Sequence, residues 1–239
     1  MKYLLRTSYW LIFSLVVFAT AAPPLAPASF ENEQLNYSLI WPSGLTLGEA
    51  TMTASSSRAG ADASPQLHFQ FDLDGSIPGF AVADRYHSNA SPQFCSAEFT
   101  RDVAHGQKKT DDKTTFDPHN GTATRRSAGG GSTELQVPQC SRDALTFLYY
   151  VRHELSEGRV PPAETVYWGA PYDVHLQLAG SETIRIADKL VDADRYSVSV
   201  RGPSSALSFD MLFLKDAART PALVRVPLPL GTFSMQLAK

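Results

Sequence analysis

The chain has 239 residues, with 21 Lys and Arg against 24 Asp and Glu, a formal net charge of −3. It contains no long basic run, so the electrostatic footprint of a nucleic-acid-binding protein is absent. Lys108-Lys109 and Arg125-Arg126, the densest basic pairs, stand beside acids or glycines as solvated strand or turn positions do.

Met1 to Arg6 carries two positive charges and no acid, and the apolar run Tyr9 to Ala19 follows it. Ala19-Thr20-Ala21-Ala22 then leads into Pro23, Pro24 and Pro27. A basic start, a short apolar stretch and an A-x-A site together predict a secretory signal peptide over residues 1–21. The competing reading is a membrane anchor, but a spanning helix needs roughly 20 apolar residues and this run is shorter. No later segment is apolar enough to span a bilayer, so a soluble mature chain in the periplasm or outside the cell is expected. Losing Lys2 and Arg6 leaves 19 basic and 24 acidic groups on about 217 residues, ample for one large β domain.

Residues 22–32 read as a Pro/Ala-rich tether, and 33–239 as a single β-rich domain. Leu35, Tyr37, Leu39 and Trp41 alternate with Asn36 and Ser38, the pattern of a half-buried strand. Pro42-Ser43-Gly44 turns the chain into a second strand over 45–53, and Ser55 to Ser64, with Gly60, is a surface loop. Leu67, Phe69, Phe71 and Leu73 alternate again before the breaks at Asp74-Gly75 and Pro78-Gly79. Further strands are expected over 81–88, 93–103 and 106–117, ending at the turn Asp117-Pro118-His119-Asn120-Gly121. Ala128 to Ser132, with three successive glycines, reads as a flexible loop.

One segment changes period. Ala144, Leu145, Leu148, Val151 and Leu155 recur at helical spacing, with Phe147 and Tyr150 widening the stripe. Ser141 is the expected cap, Asp143 falls in the first turn, and Gly158 with Pro161-Pro162 ends the helix, giving an amphipathic helix over about 142–156. Arg152, late on it, is expected to neutralise the negative helix end or to cap its carbonyls. Strands resume at Tyr172 to Leu178, with a turn at Ala179-Gly180-Ser181 and a return strand over 183–187, and continue through 196–200, 207–213, 222–226 and 232–237. About a dozen short strands and one helix predict a mainly β fold. We expect an antiparallel, strongly curved sheet, an open barrel or a sandwich, around one central amphipathic helix.

The chain has two cysteines, Cys95 and Cys140. In an oxidising compartment an even count points to a disulfide, here closing a loop of about 45 residues; the alternative is two buried free thiols. No C-x-x-C is present, so a redox-active pair is unsupported.

The stretch Asp143-Ala144-Leu145-Thr146-Phe147-Leu148-Tyr149-Tyr150-Val151-Arg152 resembles the central signature of an exported bacterial family, domain of unknown function 3108. Glu33-Gln34-Leu35-Asn36-Tyr37 before Gly44 and Gly48-Glu49-Ala50, and Thr220-Pro221-Ala222 before Gly231, agree with it. The resemblance runs from about Phe30 to Leu237. It implies a fold and an envelope location, and it attaches no reaction.

The residues themselves supply little chemistry. No two of the six histidines stand three or four residues apart, and Asp72-x-Asp74-Gly75 lacks the later ligands of a calcium loop, so no metal is expected. Neither G-x-S-x-G nor S-x-x-K occurs, and Gly129-Gly130-Gly131-Ser132 lacks the lysine of a phosphate loop. No cofactor motif is present. Asp84-Arg85-Tyr86-His87 is the densest polar cluster, and Arg85, Tyr86 and His87 are the candidate ligand contacts. In a strand Asp84 and Tyr86 would share one face, Arg85 and His87 the other, and cross-strand ion pairing is the simpler role for Arg85. The leading expectation is therefore a non-catalytic envelope protein that binds a lipid, another apolar or amphipathic ligand, or an envelope partner. The rival is a hydrolase of an envelope polymer whose carboxylates or Ser–His pair the fold brings together.

Overall fold

A computed structural model describes residues 30–58, 64–77, 80–203, 205–229 and 231–238. The leader at 1–21 and residues 22–29 of the tether lie outside these, as do Gly60 and the Pro78-Gly79 break. Among the described residues no helix is long and apolar enough to cross a membrane.

Alternating side chains build the first run of strands: β1 (Glu33–Ile40), β2 (Thr46–Ser57), β3 (Gln66–Ile77), β4 (Phe80–Ala90), β5 (Ser96–His105), β6 (Lys108–Asp117), β7 (Thr122–Ser127) and β8 (Ser132–Gln136). A two-residue strand, β9 (Arg142–Asp143), leads into helix α1 (Ala144–Ser156). The second run is β10 (Glu164–Tyr167), β11 (Pro171–Ile186), β12 (Lys189–Arg201), β13 (Ala206–Leu214), β14 (Pro221–Leu228) and β15 (Gly231–Leu237). Each run is an antiparallel meander, and the two join where β1 pairs with β15, Tyr37 opposite Leu237 and Ile40 opposite Ser234. A short parallel pairing, β9 on β10, completes the sheet. Its edges are β8 and β9, which do not pair, so the sheet is not closed into a barrel. It curls far enough for distant strands to meet all the same. Phe116 on β6 stands edge-on to Tyr167 on β10 at 5.8 Å, and the Ser96 N–H donates to the Ser141 carbonyl at 2.9 Å.

The helix fills the resulting trough. Leu145 and Tyr149 pack on the β1–β6 half, where Tyr37, Met52, Phe69 and Phe99 are buried. Phe147, Val151 and Leu155 pack on the β10–β13 half, against Val166, Val174, Tyr196 and Phe213. The Tyr149 ring stacks on Phe69 with centroids 4.0 Å apart. Apolar groups thus leave α1 in two directions, which is why its pattern is wider than the single stripe of a surface helix. Burying each such side chain contributes about 1.5–3 kcal/mol. A disulfide between Cys95 and Cys140, with Cα atoms 4.7 Å apart, staples the β4–β5 turn to the entrance of the helix.

β2 runs on to Ser57, past the Ser55 start expected for the loop, and β3 runs through Asp74-Gly75 to Ile77, because each stays paired with its neighbour; three further local expectations change. The helix begins at Ala144 and its cap is Asp143, while Ser141 donates its hydroxyl to the Pro138 carbonyl. Asp143 wins because its carboxylate reaches the free N–H groups of Leu145 and Thr146, at 2.9 and 3.0 Å. Ala179-Gly180-Ser181 is not a turn: β11 runs on to Ile186, and Gly180, at φ +132°, makes a bulge opposite Arg195 where the register shifts. Arg152 does not cap the helix end. Helical side chains lean toward the N-terminus, so Arg152 points away from the last carbonyls, and Arg219 from the β13–β14 connection donates to the Leu155 carbonyl instead, at 3.1 Å.

Candidate functional site: an apolar cleft beside the helix

Two buried ionic groups set the helix against the sheet. At its start, Asp143 is fully buried and also accepts from the hydroxyls of Ser88 on β4 (2.6 Å), Ser96 on β5 (2.5 Å) and Thr146 (2.9 Å). Burial pushes this carboxyl above the usual aspartate range, against the hydrogen bonds from Ser88 and Ser96. Later on the helix, Arg152 donates to both oxygens of Glu33 on β1, at 2.6 and 2.7 Å, and through Nε to the Ala218 carbonyl at 3.1 Å. Burial alone would lower the Arg152 pKa, but the Glu33 carboxylate more than offsets this and keeps the guanidinium charged. Its face lies over the rings of Phe30 and Tyr149, 4.5 and 4.9 Å from their centroids.

So positioned, α1 leaves a gap on one side. Between it and the inner face of β10–β13 opens a cleft of about 470 Å³. Phe147, Leu148 and Val151 form its helical wall, and Val174, Leu176 and Val198 are among the residues of its sheet wall. Leu207, Phe209 and Met211 on β13 extend it outward, and Leu207 remains 40 % exposed. Among the described residues Arg101 is the one charged residue that lines it. A pocket of this size, mostly apolar with few polar groups, has the proportions of a small-molecule site.

A tight turn, Trp168-Gly169-Ala170, crosses from this cleft to the other half of the sheet. Trp168 lines the cleft, is 44 % exposed, and meets the Tyr86 ring edge-on at 5.3 Å. Its carbonyl accepts from Arg101 at 3.2 Å, and the Gly169 carbonyl accepts from Arg125 at 2.7 Å. Gly169 has φ +70°, and a β-carbon there would sit 2.2 Å from an Arg101 nitrogen, so only glycine lets the guanidinium lie against the turn. Both arginines also face the buried carboxylate of Asp112.

A second, smaller cleft of about 310 Å³ lies among Leu39, Leu73, Val82, Val224 and Phe233. Asp84 and His105 line it, paired at 2.9 Å, and Asp84 also accepts from the Tyr86 hydroxyl at 3.2 Å. Among the described residues no group of three or more His, Cys, Asp or Glu side chains is placed to hold a metal ion.

The cluster singled out in the sequence is split by the sheet. Tyr86 is buried on the inner face, and burial first, then Asp84, pushes its hydroxyl pKa up. Arg85 and His87 stand on the outer face, where Arg85 lies opposite Asp72 and binds both oxygens of Asp74 at 2.7 Å. Another outer-face grouping went unnoticed in the sequence. Ser57 Oγ lies 2.6 Å from His68 Nε2, and His68 Nδ1 lies 2.7 Å from Asn89 Oδ1. The imidazole tautomer protonated at Nδ1 satisfies both contacts. Only strand register brings these three together, through His68 opposite Ser55 and Asn89, so no local motif announces them.

A large, curled, mainly antiparallel sheet that does not close into a barrel, wrapped around a buried helix, defines a mainly β protein. The chain belongs to the family described as Protein of unknown function (DUF3108), whose profile matches residues 36–238. In fold it is similar to the crystal structure of a beta-barrel-like protein of domain of unknown function DUF1849 from Brucella abortus. That match has a TM-score of 0.56 at 8% identity and covers 88% of this chain and 97% of that one. A more distant likeness, TM-score 0.40 at 6% identity over 90% of this chain and 99% of the other, is to a Bacteroides fragilis protein described as exported, with a YmcC-like fold. No curated protein matches the chain.

Proposed function

We propose that this protein is an exported, non-catalytic envelope protein that binds an apolar or amphipathic ligand in the cleft beside α1. The observation that carries the reading is the cleft itself: about 470 Å³, walled by aliphatic and aromatic side chains and open at Leu207 and Trp168. An open apolar surface of this kind in water favours an occupant. The leader-like start at 1–21 and the Cys95–Cys140 bond support a life in the periplasm or outside the cell, with 33–239 acting as one domain. Of the Arg85-Tyr86-His87 cluster, Tyr86 stands nearest the cleft, its ring packed behind Trp168.

Native mass spectrometry of protein purified gently from its native envelope tests this. A bound small molecule removed by solvent extraction is expected. Protein that is consistently ligand-free, and that takes up no amphiphile on titration, would contradict it.

A second reading, hydrolysis of an envelope polymer, draws on one observation, the Ser57–His68–Asn89 chain of contacts. Ser57 is exposed and lies on the face opposite the cleft. A fluorophosphonate probe separates the readings: labelling at Ser57 that is lost in His68→Ala supports hydrolysis, and no labelling removes it.

A further inference from the structure

We infer that the ligand of the main cleft is an amphiphile with one anionic head, a carboxylate or a phosphate, bound at Arg101 with Arg125 behind it; this rests on the cleft being a binding site. The rung that carries Arg101 runs across the inner face of three strands. Tyr86 on β4 faces Arg101 on β5, which faces Asp112 on β6. Arg125 on β7 reaches the same carboxylate at 3.1 Å. One carboxylate therefore stands between two guanidiniums, and the group keeps a net positive charge where the apolar cleft ends. Asp84, the nearby acid on β4, points into the second cleft and pairs there with His105.

The hydrogen-bond inventory agrees. Of Arg101's five N–H groups, two go to Asp112 and one to the Trp168 carbonyl, which leaves two without an acceptor among the described residues. Unfilled donors beside surplus positive charge favour an anionic acceptor, because hydrogen bonds between ionised partners are the stronger ones. The neighbouring wall of Phe147, Val174 and Val198 is apolar, which suits a hydrocarbon for the rest of the ligand.

The test uses matched sixteen-carbon probes below their micelle thresholds: palmitate, hexadecyl phosphate, hexadecanol and hexadecyltrimethylammonium, titrated against the full mature chain. Either anion is expected to bind roughly tenfold or more tightly than the alcohol, with the cation weakest. Which anion binds better identifies the head. Arg125→Gln should erode the preference for the anion and leave hexadecanol binding unchanged. Equal binding of anion, alcohol and cation would overturn the anionic head while leaving the cleft as a binding site. No binding of any probe would overturn both.

Discussion

Arg152 and Glu33, 119 residues apart in sequence, form a two-pronged ion pair inside the trough, with the arginine side chain 0% and the glutamate 14% exposed. It ties the central helix to the first strand, which is also the strand that joins the two meanders. Removing one partner of such a pair leaves a buried charge uncompensated, and this costs about 3–5 kcal/mol. Glu33→Ala and Arg152→Met should each lower the urea midpoint accordingly. The double variant should be less destabilised than the sum of the two, and strict additivity would show that the pair does not act as a unit.

The Asp143 carboxyl carries a pH signature. Its pKa is raised in the folded protein, so the folded state holds the proton more tightly than the unfolded one. The associated stability is fully present below the ordinary aspartate value of about 3.9 and is lost as pH rises through the higher folded value. Wild-type stability relative to Asp143→Asn should therefore grow as the pH is lowered through that window, as read from denaturant midpoints. A difference that is flat or shrinks on acidification would contradict the assignment. Asp143→Ala, which also strands three hydroxyls and the helix N–H groups, should cost about 2–4 kcal/mol at neutral pH, and more as the pH falls through that window.

The Cys95–Cys140 bond closes a long loop between the β4–β5 turn and the helix entrance. Its loss in a Cys95→Ala/Cys140→Ala variant should cost about 3–4 kcal/mol in the chain-entropy picture. Thiol labelling of the unfolded, unreduced exported protein should find no free cysteine. Two reactive thiols would contradict the bond.

Leu207 tests the cleft without touching the core. It is 40 % exposed on the cleft's outer wall, so Leu207→Glu should change stability by about 0.5 kcal/mol or less. The same change puts a charge against the hydrocarbon and should weaken amphiphile binding by roughly tenfold or more.

Much of the fold was legible because long strands that pack on one face alternate. Tyr37, Phe69 and Val174 sit in runs whose period gives them away, and α1 stood out by its change of period. The strands missed were β7 to β10, which are short; β8 is almost wholly exposed and β9 spans two residues, so no alternation marks them. Gly180 misled because a glycine that makes a bulge looks in sequence like one that makes a turn. The site was far less legible. Arg101 and Asp112 read as ordinary strand charges, and only the register of β5 on β6 places them together against a turn that begins at Trp168. Arg152 and Glu33 were hidden for the same reason, since their pairing depends on the sheet curling around the helix.

Trp168 offers the most direct measurement of ligand binding. It lines the cleft, whereas Trp41 packs against Phe233 elsewhere, and Trp10 falls in the leader-like segment. In a Trp41→Phe mature chain the fluorescence then reports Trp168 alone. A doxyl-labelled fatty acid should quench it saturably at one ligand per chain, and Leu207→Glu should shift the titration to higher concentration. Absent or non-saturating quenching, or quenching that Leu207→Glu leaves unchanged, would contradict ligand binding in the cleft.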